Sequence, residues 1–308
     1  MLRLLPADLT LVINLSAGDV AYAYFTAGAL IKAHRKTAKE VILILDDTQA
    51  QYSHFYDHQK RYKEPEFTAK LKTVSEIAQE FKHQGLVDQV IYMSNFTNIN
   101  LNRKYLNNRV KETHDFRGAP ITAYLAGFEI CKTQYLVRYD GDMILHQPGK
   151  DWVLRGIELL KEYSDCVAVS PRPSPPDYNE KINLELDPTY WFSTRCTLFD
   201  KVKLMKTIPF LQGKFMVEVW LRKLFDKTYP PAFETILTDR LKNHGFKNYY
   251  LLTNGSWILH PEEKKESFIK LLPLIIAEVK KGNYPAEQVN NETLELKAWE
   301  KYLQLIET

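Results

Sequence analysis

Apolar and polar positions in the first half of the chain fall into short blocks that switch between two periods. Leu9–Leu15 (LTLVINL) is apolar at most positions over a stretch too short for a buried helix, and it reads as a strand covered on both faces. Tyr22–Lys36 then spaces Phe25, Ala29, Leu30 and Ala33 as one helical face. Val41–Leu45 (VILIL) is a second buried strand, ending on Asp46 and Asp47. Phe67–His83 places Leu71, Val74, Ile77, Ala78 and Phe81 on one face of an amphipathic helix that Gly85 stops. A third strand is expected at Val87–Met93, and a helix at Pro120–Cys131 with Pro120 near its first turn. Gln134–Tyr139 is a fourth strand, with Asp140-Gly141-Asp142 at its carboxyl end. Strands alternating with helices predict parallel βαβ units under right-handed crossovers: an α/β fold with a mostly parallel central sheet flanked by helices.

The second half is less regular. Trp152–Tyr163 reads as a helix, and Cys166–Ser170 as a strand. Pro171–Pro176 is a loop, because its prolines cannot donate to a ladder. Thr189–Phe199 reads as one strand, Ala232–Asn243 as a helix ended by Gly245, and Tyr249–Leu252 and Ser256–Leu259 as short strands. From Glu262 the pattern is mainly helical, with Phe268–Val279 its most apolar stretch. That stretch contains Pro273 and ends on Lys280 and Lys281, and it reads as a helix packed on the core, with contact to a membrane or a partner as the lesser reading. The expected division is a catalytic-size unit over residues 1–260, in halves 1–145 and 146–260, carrying a helical extension over 261–308.

Composition narrows the class. A hydrophobic fraction of 45% is enough for a substantial core and argues against disorder. A net charge of +3, without a dense Lys/Arg block, is too mild for a nucleic-acid footprint, although it suits a polyanionic small ligand or a weak peripheral contact with an anionic membrane surface. Cys131, Cys166 and Cys196 are odd in number and widely spaced, which fits reduced thiols in a cytoplasmic compartment rather than a zinc site or a disulfide framework. The apolar start is interrupted by Asp8, so a targeting segment is not expected, and no run approaches the ~18 apolar residues of a transmembrane helix.

Candidate chemistry lies at the strand ends. In open α/β sheets ligands bind beyond the carboxyl ends of the strands, where Asp46, Asp47, Asp140 and Asp142 all fall. Two carboxylates separated by a glycine can hold a hard cation such as Mg²⁺ or Mn²⁺, which takes one or two carboxylates together with substrate phosphates. Asp-Gly is also a strong turn signal, and the apolar strand before it and the second aspartate after it are what favour the metal reading. Gln51–Tyr62, dense in Tyr, His and Lys/Arg, reads either as an exposed loop or as a sugar- and phosphate-contacting one. Trp191, Arg195 and Trp220 fall in the half where a second substrate would bind, with core packing the stronger reading for the tryptophans.

In this context the chain resembles a GT-A glycosyltransferase, closest to the inverting group called glycosyltransferase family two. Leu11–Asn14 resembles that family's opening strand, and Leu43–Thr48 its second strand and acidic turn. Gly118–Ile130 resembles the helix before the metal motif, Tyr135–Asp142 the strand carrying the DxD motif, and Glu234–Arg240 with Gly245–Lys247 the acceptor-side helix. Ser256–His260 resembles the strand that ends in a histidine. The resemblance implies transfer of a sugar from a nucleotide-sugar donor, a UDP-sugar favoured, to a carbohydrate or other hydroxyl acceptor, with inversion. It implies Asp142 as the direct metal ligand, Asp140 on the ribose or metal, and His260 completing the metal site. Asp46 or Asp47 would contact the base, with Asp19 a weaker nucleotide candidate. Aligning Leu237 and Arg240 with the family pattern puts Glu234 on the catalytic aspartate, while Phe233 stands where a second acid is expected. Asp239 and Glu218 are the fallback bases. Three other classes compete. A nucleotidyltransferase would carry a Gly-rich basic loop after the first strand, where Leu15–Val20 has one glycine and no base. A haloacid-dehalogenase-type phosphatase would carry its aspartates on an early strand. A GT-A-like sugar-binding protein with decayed catalysis is kept open by the departures around Glu234.

Overall fold

The computed structural model describes residues 7–53, 57–96, 99–149, 151–177, 185–225, 230–252 and 255–307. Strands β1 (Ala7–Ser16) and β2 (Ala38–Asp46) are apolar on both faces because helices cover both sides of the sheet they form. Leu9, Leu11, Ile13 and Leu15 of β1 pack on one side with Val41, Leu43 and Leu45 of β2. Val12, Ile42 and Ile44 pack on the other. This two-sided burial is the physical basis of the near-continuous apolar runs.

The remaining elements follow in order: α1 (Ala23–His34), α2 (His58–Arg61), α3 (Glu66–His83), β3 (Gln89–Tyr92), α4 (Ile99–Leu106), α5 (Ile121–Ile130), β4 (Tyr135–Asp140), β5 (Ile144–His146) and α6 (Trp152–Glu162). They continue with β6 (Cys166–Pro171), β7 (Leu186–Thr189), β8 (Cys196–Asp200), α7 (Lys201–Met205), α8 (Gly213–Leu224), α9 (Phe233–Asn243), β9 (Lys247–Leu251), β10 (Trp257–Leu259), α10 (Glu266–Lys281) and α11 (Leu296–Glu307). The main sheet has the order β3-β2-β1-β4-β8-β6-β9-β7. Its first four strands are parallel, β8 runs against both neighbours, β6 and β9 are parallel to each other, and β7 is an antiparallel edge. The expected α/β class with a mostly parallel sheet is therefore the class observed. Gly85 and Gly245 both adopt positive φ after their helices, as expected of residues that end them.

One expectation needs correction. Thr189–Phe199 is not one strand: it is split between β7 and β8 by residues 190–195, which leave the ladder and return from the amino side of β9 to the carboxyl edge, where β8 begins. Phe268–Val279 lies within α10 and packs on the core, the main reading of its sequence. Phe268, Leu272, Ile275 and Val279 of α10 are buried in a third cluster with Trp257, Leu259 and Trp299. No helix among the described residues is long and apolar enough to cross a membrane. Cys131, Cys166 and Cys196 are free and buried.

A small second sheet positions the site. β5, just after Asp142, pairs antiparallel with β10 so that Ile144 faces Leu259. His260, the next residue after Leu259, is thereby brought back against Asp142. Its own backbone is fixed from the other side, by His260 N donating to Glu292 O (3.1 Å) and Leu294 N donating to His260 O (3.0 Å).

Candidate active site

Two adjoining clefts open along the carboxyl edge of the sheet. The first, of about 680 Å³, lies over the ends of β1, β2 and β4 and is lined by Asp19, Asp46, Asp140, Asp142, Arg61 and Lys264 among others. The second, of about 840 Å³, lies over β6, β9 and the 190–195 segment, and Trp191, Arg195, Glu234 and Glu292 are in its wall. Arg117 and His260 line both.

The DGD turn is held from beneath. Arg138, buried in β4, lies over the Tyr124 ring at 3.4 Å and donates to Asp140 Oδ1 at 2.8 Å. Removal from water raises the Asp140 carboxyl to about 6, against the pull of Arg138 and with a further push from Asp142 and Glu234. Gly141 is required for space. A Cβ there would stand 2.4 Å from Leu15 Cδ2 and 2.8 Å from the Asn14 carbonyl of β1. Thr26 Oγ1 closes the turn by donating to Gly141 O at 2.5 Å.

Asp142 behaves differently from Asp140. Burial alone would raise it, but the His260 ring and the Lys264 ammonium hold it well below the usual carboxylate range. Lys264 Nζ lies 2.5 Å and His260 Nε2 3.4 Å from Asp142 Oδ2. Asp142 Oδ1 and His260 Nδ1 are buried with no partner among the described residues. An unpaired buried carboxylate oxygen is costly, so this pair is a place where a ligand would be bound. The donor set, one carboxylate oxygen and one imidazole, fits Mg²⁺ or Mn²⁺ that takes its other ligands from a diphosphate and water. Among the described residues no three His, Cys, Asp or Glu side chains form a ready-made metal cluster, because Asp140 is turned to Arg138.

The other sequence candidates divide. Asp46 is in the first cleft, but both its oxygens are engaged: Oδ1 by Thr48 Oγ1 (2.6 Å) and Oδ2 by His114 Nε2 (3.0 Å). Asp47 is half-buried, accepts from Ser94 N at 2.7 Å, and is not in the wall of that cleft. Asp19 is in the cleft, where it accepts from Ser16 N and Tyr22 Oη, both at 2.5 Å, and burial and neighbouring Asp142 raise its carboxyl. Glu234, in the first turn of α9, faces the second cleft. Thr194 Oγ1 donates to its Oε1 at 2.7 Å, and the Arg117 guanidinium pairs with its Oε2. Asp239 and Glu218 lie outside both clefts, held by Lys214 (2.7 Å) and Arg222 (2.6 Å). Trp191 and Arg195 line the second cleft, whereas Trp220 stands on the outer surface of α8. Of the aromatic and basic stretch after β2, His54, Phe55 and Tyr56 lie outside the described residues, while Arg61 and Tyr62 line the first cleft.

Three site residues went unnoticed in the sequence: Arg117, Arg138 and Lys264. Arg138 sits inside an apolar strand, and a lone cation in such a run signals a buried counter-charge. Arg117 belongs to the charged His114–Arg117 segment just ahead of a Pro-led helix, where Asp115 fixes it through Nε (3.0 Å) and Nη2 (2.8 Å). Lys264 is one of five consecutive charged residues, Glu262–Glu266, and nothing in that run marks it.

No family model and no curated protein matches the chain. Among solved structures it is similar to S. aureus TarS 1-349 in complex with UDP-GlcNAc, with 9% identity and a TM-score of 0.44 over 88% of this chain and 66% of that one. It is also similar to the mannosyltransferase PcManGT from Pyrobaculum calidifontis in complex with GDP-Man and Mn²⁺, with 13% identity and a TM-score of 0.47 over 98% of this chain and 71% of that one. The chain thus spans just under two thirds of the length of the first.

Proposed function

We propose that this chain is a glycosyltransferase that binds a nucleotide-sugar in the cleft over β1, β2 and β4 and passes its sugar to a hydroxyl acceptor in the adjoining cleft. The observation that carries this reading is the shared boundary. Arg117 and His260 line both clefts, with Asp142 on the first side and Glu234 on the second. Group transfer between two bound molecules needs two sites in contact and unlike machinery on their two sides.

In this reading Lys264, Arg61 and Lys70, all in the wall of the first cleft, compensate the donor diphosphate. Asp142 and His260 would hold Mg²⁺ or Mn²⁺, which when bound supplies Lewis-acid neutralisation of the leaving nucleoside diphosphate. Asp46 and Asp19 shape the nucleotide end, and a uridine donor is favoured. Glu234 accepts the proton of the acceptor hydroxyl, giving inversion at the anomeric carbon. Its Oε2 becomes available when Arg117 turns from it toward an anionic substrate, so Arg117 orients the base as well as bordering both clefts.

The test is a panel of UDP-, GDP-, CMP- and dTDP-sugars with Mn²⁺, read by thermal stabilisation and slow donor hydrolysis. At least one donor should stabilise the protein, and Asp142→Ala should abolish both signals while keeping the wild-type circular dichroism. If no nucleotide-sugar stabilises the wild type, the reading fails. Stabilisation with neither hydrolysis nor transfer identifies a sugar-nucleotide-binding protein instead, which the double engagement of Glu234 would then explain.

A further inference from the structure

Helix α8 is apolar on two sides, and only one of them is used. Phe215 and Val219 point inward, buried in the cluster that also holds Phe233, Ile236 and Leu237 of α9. The opposite side exposes Met216, Val217, Trp220, Leu221 and Leu224, followed by Phe225. Trp220 is 56% and Phe225 74% exposed, too much for side chains that merely border a core. The outward spacing, at 216/217, 220/221 and 224, is a continuous helical stripe. A contiguous patch of this kind marks an interaction surface rather than ordinary scattered exposure.

Charge decides what the surface fits. Arg109 shares a shallow depression with Met216, Val217 and Trp220, and its guanidinium has no partner among the described residues. Lys214 and Lys223 flank the stripe at its two ends, Lys214 pairing with Asp239 and Lys223 reaching the Arg109 carbonyl. The acid on this helix, Glu218, is taken by Arg222. Isologous contact with a second copy, the two helices antiparallel, would set Lys214 of one copy near Lys223 of the other, which is repulsive. Trp, Phe and Leu on one face with Lys and Arg beside them is the pattern of a helix that lies in the plane of an anionic bilayer surface.

We propose that α8 docks the protein peripherally on an anionic membrane, with Trp220, Leu224 and Phe225 entering the interface and Arg109, Lys214 and Lys223 meeting the headgroups. The other side of α8 packs against α9, whose first turn places Glu234 in the second cleft, so docking would set that cleft beside the bilayer. This last consequence rests on the glycosyl-transfer reading; the docking itself does not.

The experiment is sedimentation of the full chain with extruded vesicles of phosphatidylcholine alone and of phosphatidylcholine with phosphatidylglycerol. Binding should be at least about tenfold tighter to the anionic vesicles, given the gain per basic side chain near such a surface, and should weaken as salt is raised. The double variant Trp220→Ser, Leu224→Ser removes only exposed side chains, so it should keep its circular dichroism and melting temperature while losing about tenfold or more of that binding. Arg109→Glu should weaken binding to the anionic vesicles and leave phosphatidylcholine unaffected. Equal binding to the two compositions, no binding to either, or undiminished binding by the folded double variant would overturn the proposal. So would a wild-type dimer in light scattering that the double variant abolishes. Because vesicle binding needs no donor, its failure is distinguishable from failure of the nucleotide-sugar panel.

Discussion

Lys264 is the resident counter-ion of Asp142, and removing it should separate two functions of that carboxylate. At 2.5 Å and an effective dielectric near 20, the pair's Coulomb attraction is about 7 kcal/mol before any cost is subtracted. Most of that is offset by desolvation and by solvent screening, since the Lys264 side chain is 31% exposed and Asp142 10%. His260 remains at 3.4 Å to hold part of the charge. The net loss in Lys264→Met is therefore about 2 kcal/mol, between an exposed pair and a buried one. At roughly 2 °C per kcal/mol for a chain of this size, the variant should melt about 4 °C lower in EDTA.

A divalent cation on the free Oδ1 of Asp142 would meet the repulsion of the Lys264 ammonium held 2.5 Å from Oδ2. By reciprocity, the ~2 kcal/mol lost from the metal-free protein reappears as tighter metal binding, up to about 30-fold for Mn²⁺. Differential scanning fluorimetry across an Mn²⁺ titration reads both quantities without any turnover. Lys265→Met is the control, because Lys265 pairs with exposed Glu263 at 2.9 Å and should behave as wild type. A Lys264→Met protein that melts at the wild-type temperature in EDTA, or that gains no more from Mn²⁺ than the wild type, refutes the counter-ion argument.

Gly141→Ala should be among the most damaging single-methyl additions in the protein. The new Cβ meets Leu15 at 2.4 Å and a carbonyl of β1 at 2.8 Å, and Asn14 cannot yield because it is paired with Asp140; a loss of about 2–4 kcal/mol by urea unfolding is expected, and wild-type stability would show that the turn can shift. Asp151→Asn should cost about 3 kcal/mol, because Asp151 caps α6 through Val153 N (3.1 Å) and faces buried His34 at 2.9 Å. Burial opposes the charge on Asp151 but His34 holds its carboxyl below the ordinary value. Its contribution is therefore complete above pH about 4 and lost as pH falls through the depressed folded value, so the variant's deficit should shrink toward low pH in acid-unfolding curves; a constant deficit would contradict this. Glu234→Gln should lower transfer by roughly 10²-fold with donor affinity unchanged, and NMR of the wild-type product should show inversion; near-normal turnover or a retained configuration removes Glu234 from the role of base.

What the sequence made legible was whatever depends on local periodicity. The buried runs of β1, β2 and β4 and the stripe of α3 announce themselves because side chains repeat with the geometry of the element that carries them. The position of the DGD turn followed from the strand before it. Less was legible where long-range pairing decides. β5 is too short to carry a pattern, yet its pairing with β10 is what returns His260 to Asp142. Asp47 follows the same strand as Asp46 and looks equivalent in sequence, but only one of two adjacent side chains can face into the cleft. The ion pairs that join Lys214 to Asp239 and Arg117 to Glu234 link residues whose chemistry is visible and whose proximity is not, whereas the Glu218–Arg222 pair is one helical turn and could be read.

The strand that was expected whole and found broken explains why there are two clefts. Through β3, β2, β1 and β4 the sheet is parallel, and the loops at the carboxyl ends of β1, β2 and β4 feed the first cleft. β8 then enters in the opposite sense, so its beginning, not its end, lies at that edge. β7 ends beside Asn248, at the amino side of β9, so the segment before β8 must come back across β9 and β6 to reach the start of that strand, and it cannot remain in a ladder while doing so. Residues 190–195 are that crossing. They set Trp191, Ser193 and Arg195 in the second cleft and Thr194 against Glu234. Arg195 O accepts from Asp140 N at 2.9 Å, which ties the crossing to the DGD turn at the point where the sheet reverses. The boundary between the clefts is thus the boundary between parallel and antiparallel pairing. A change in the length of the 190–195 segment should move the second cleft relative to the first while leaving the strands on either side in register.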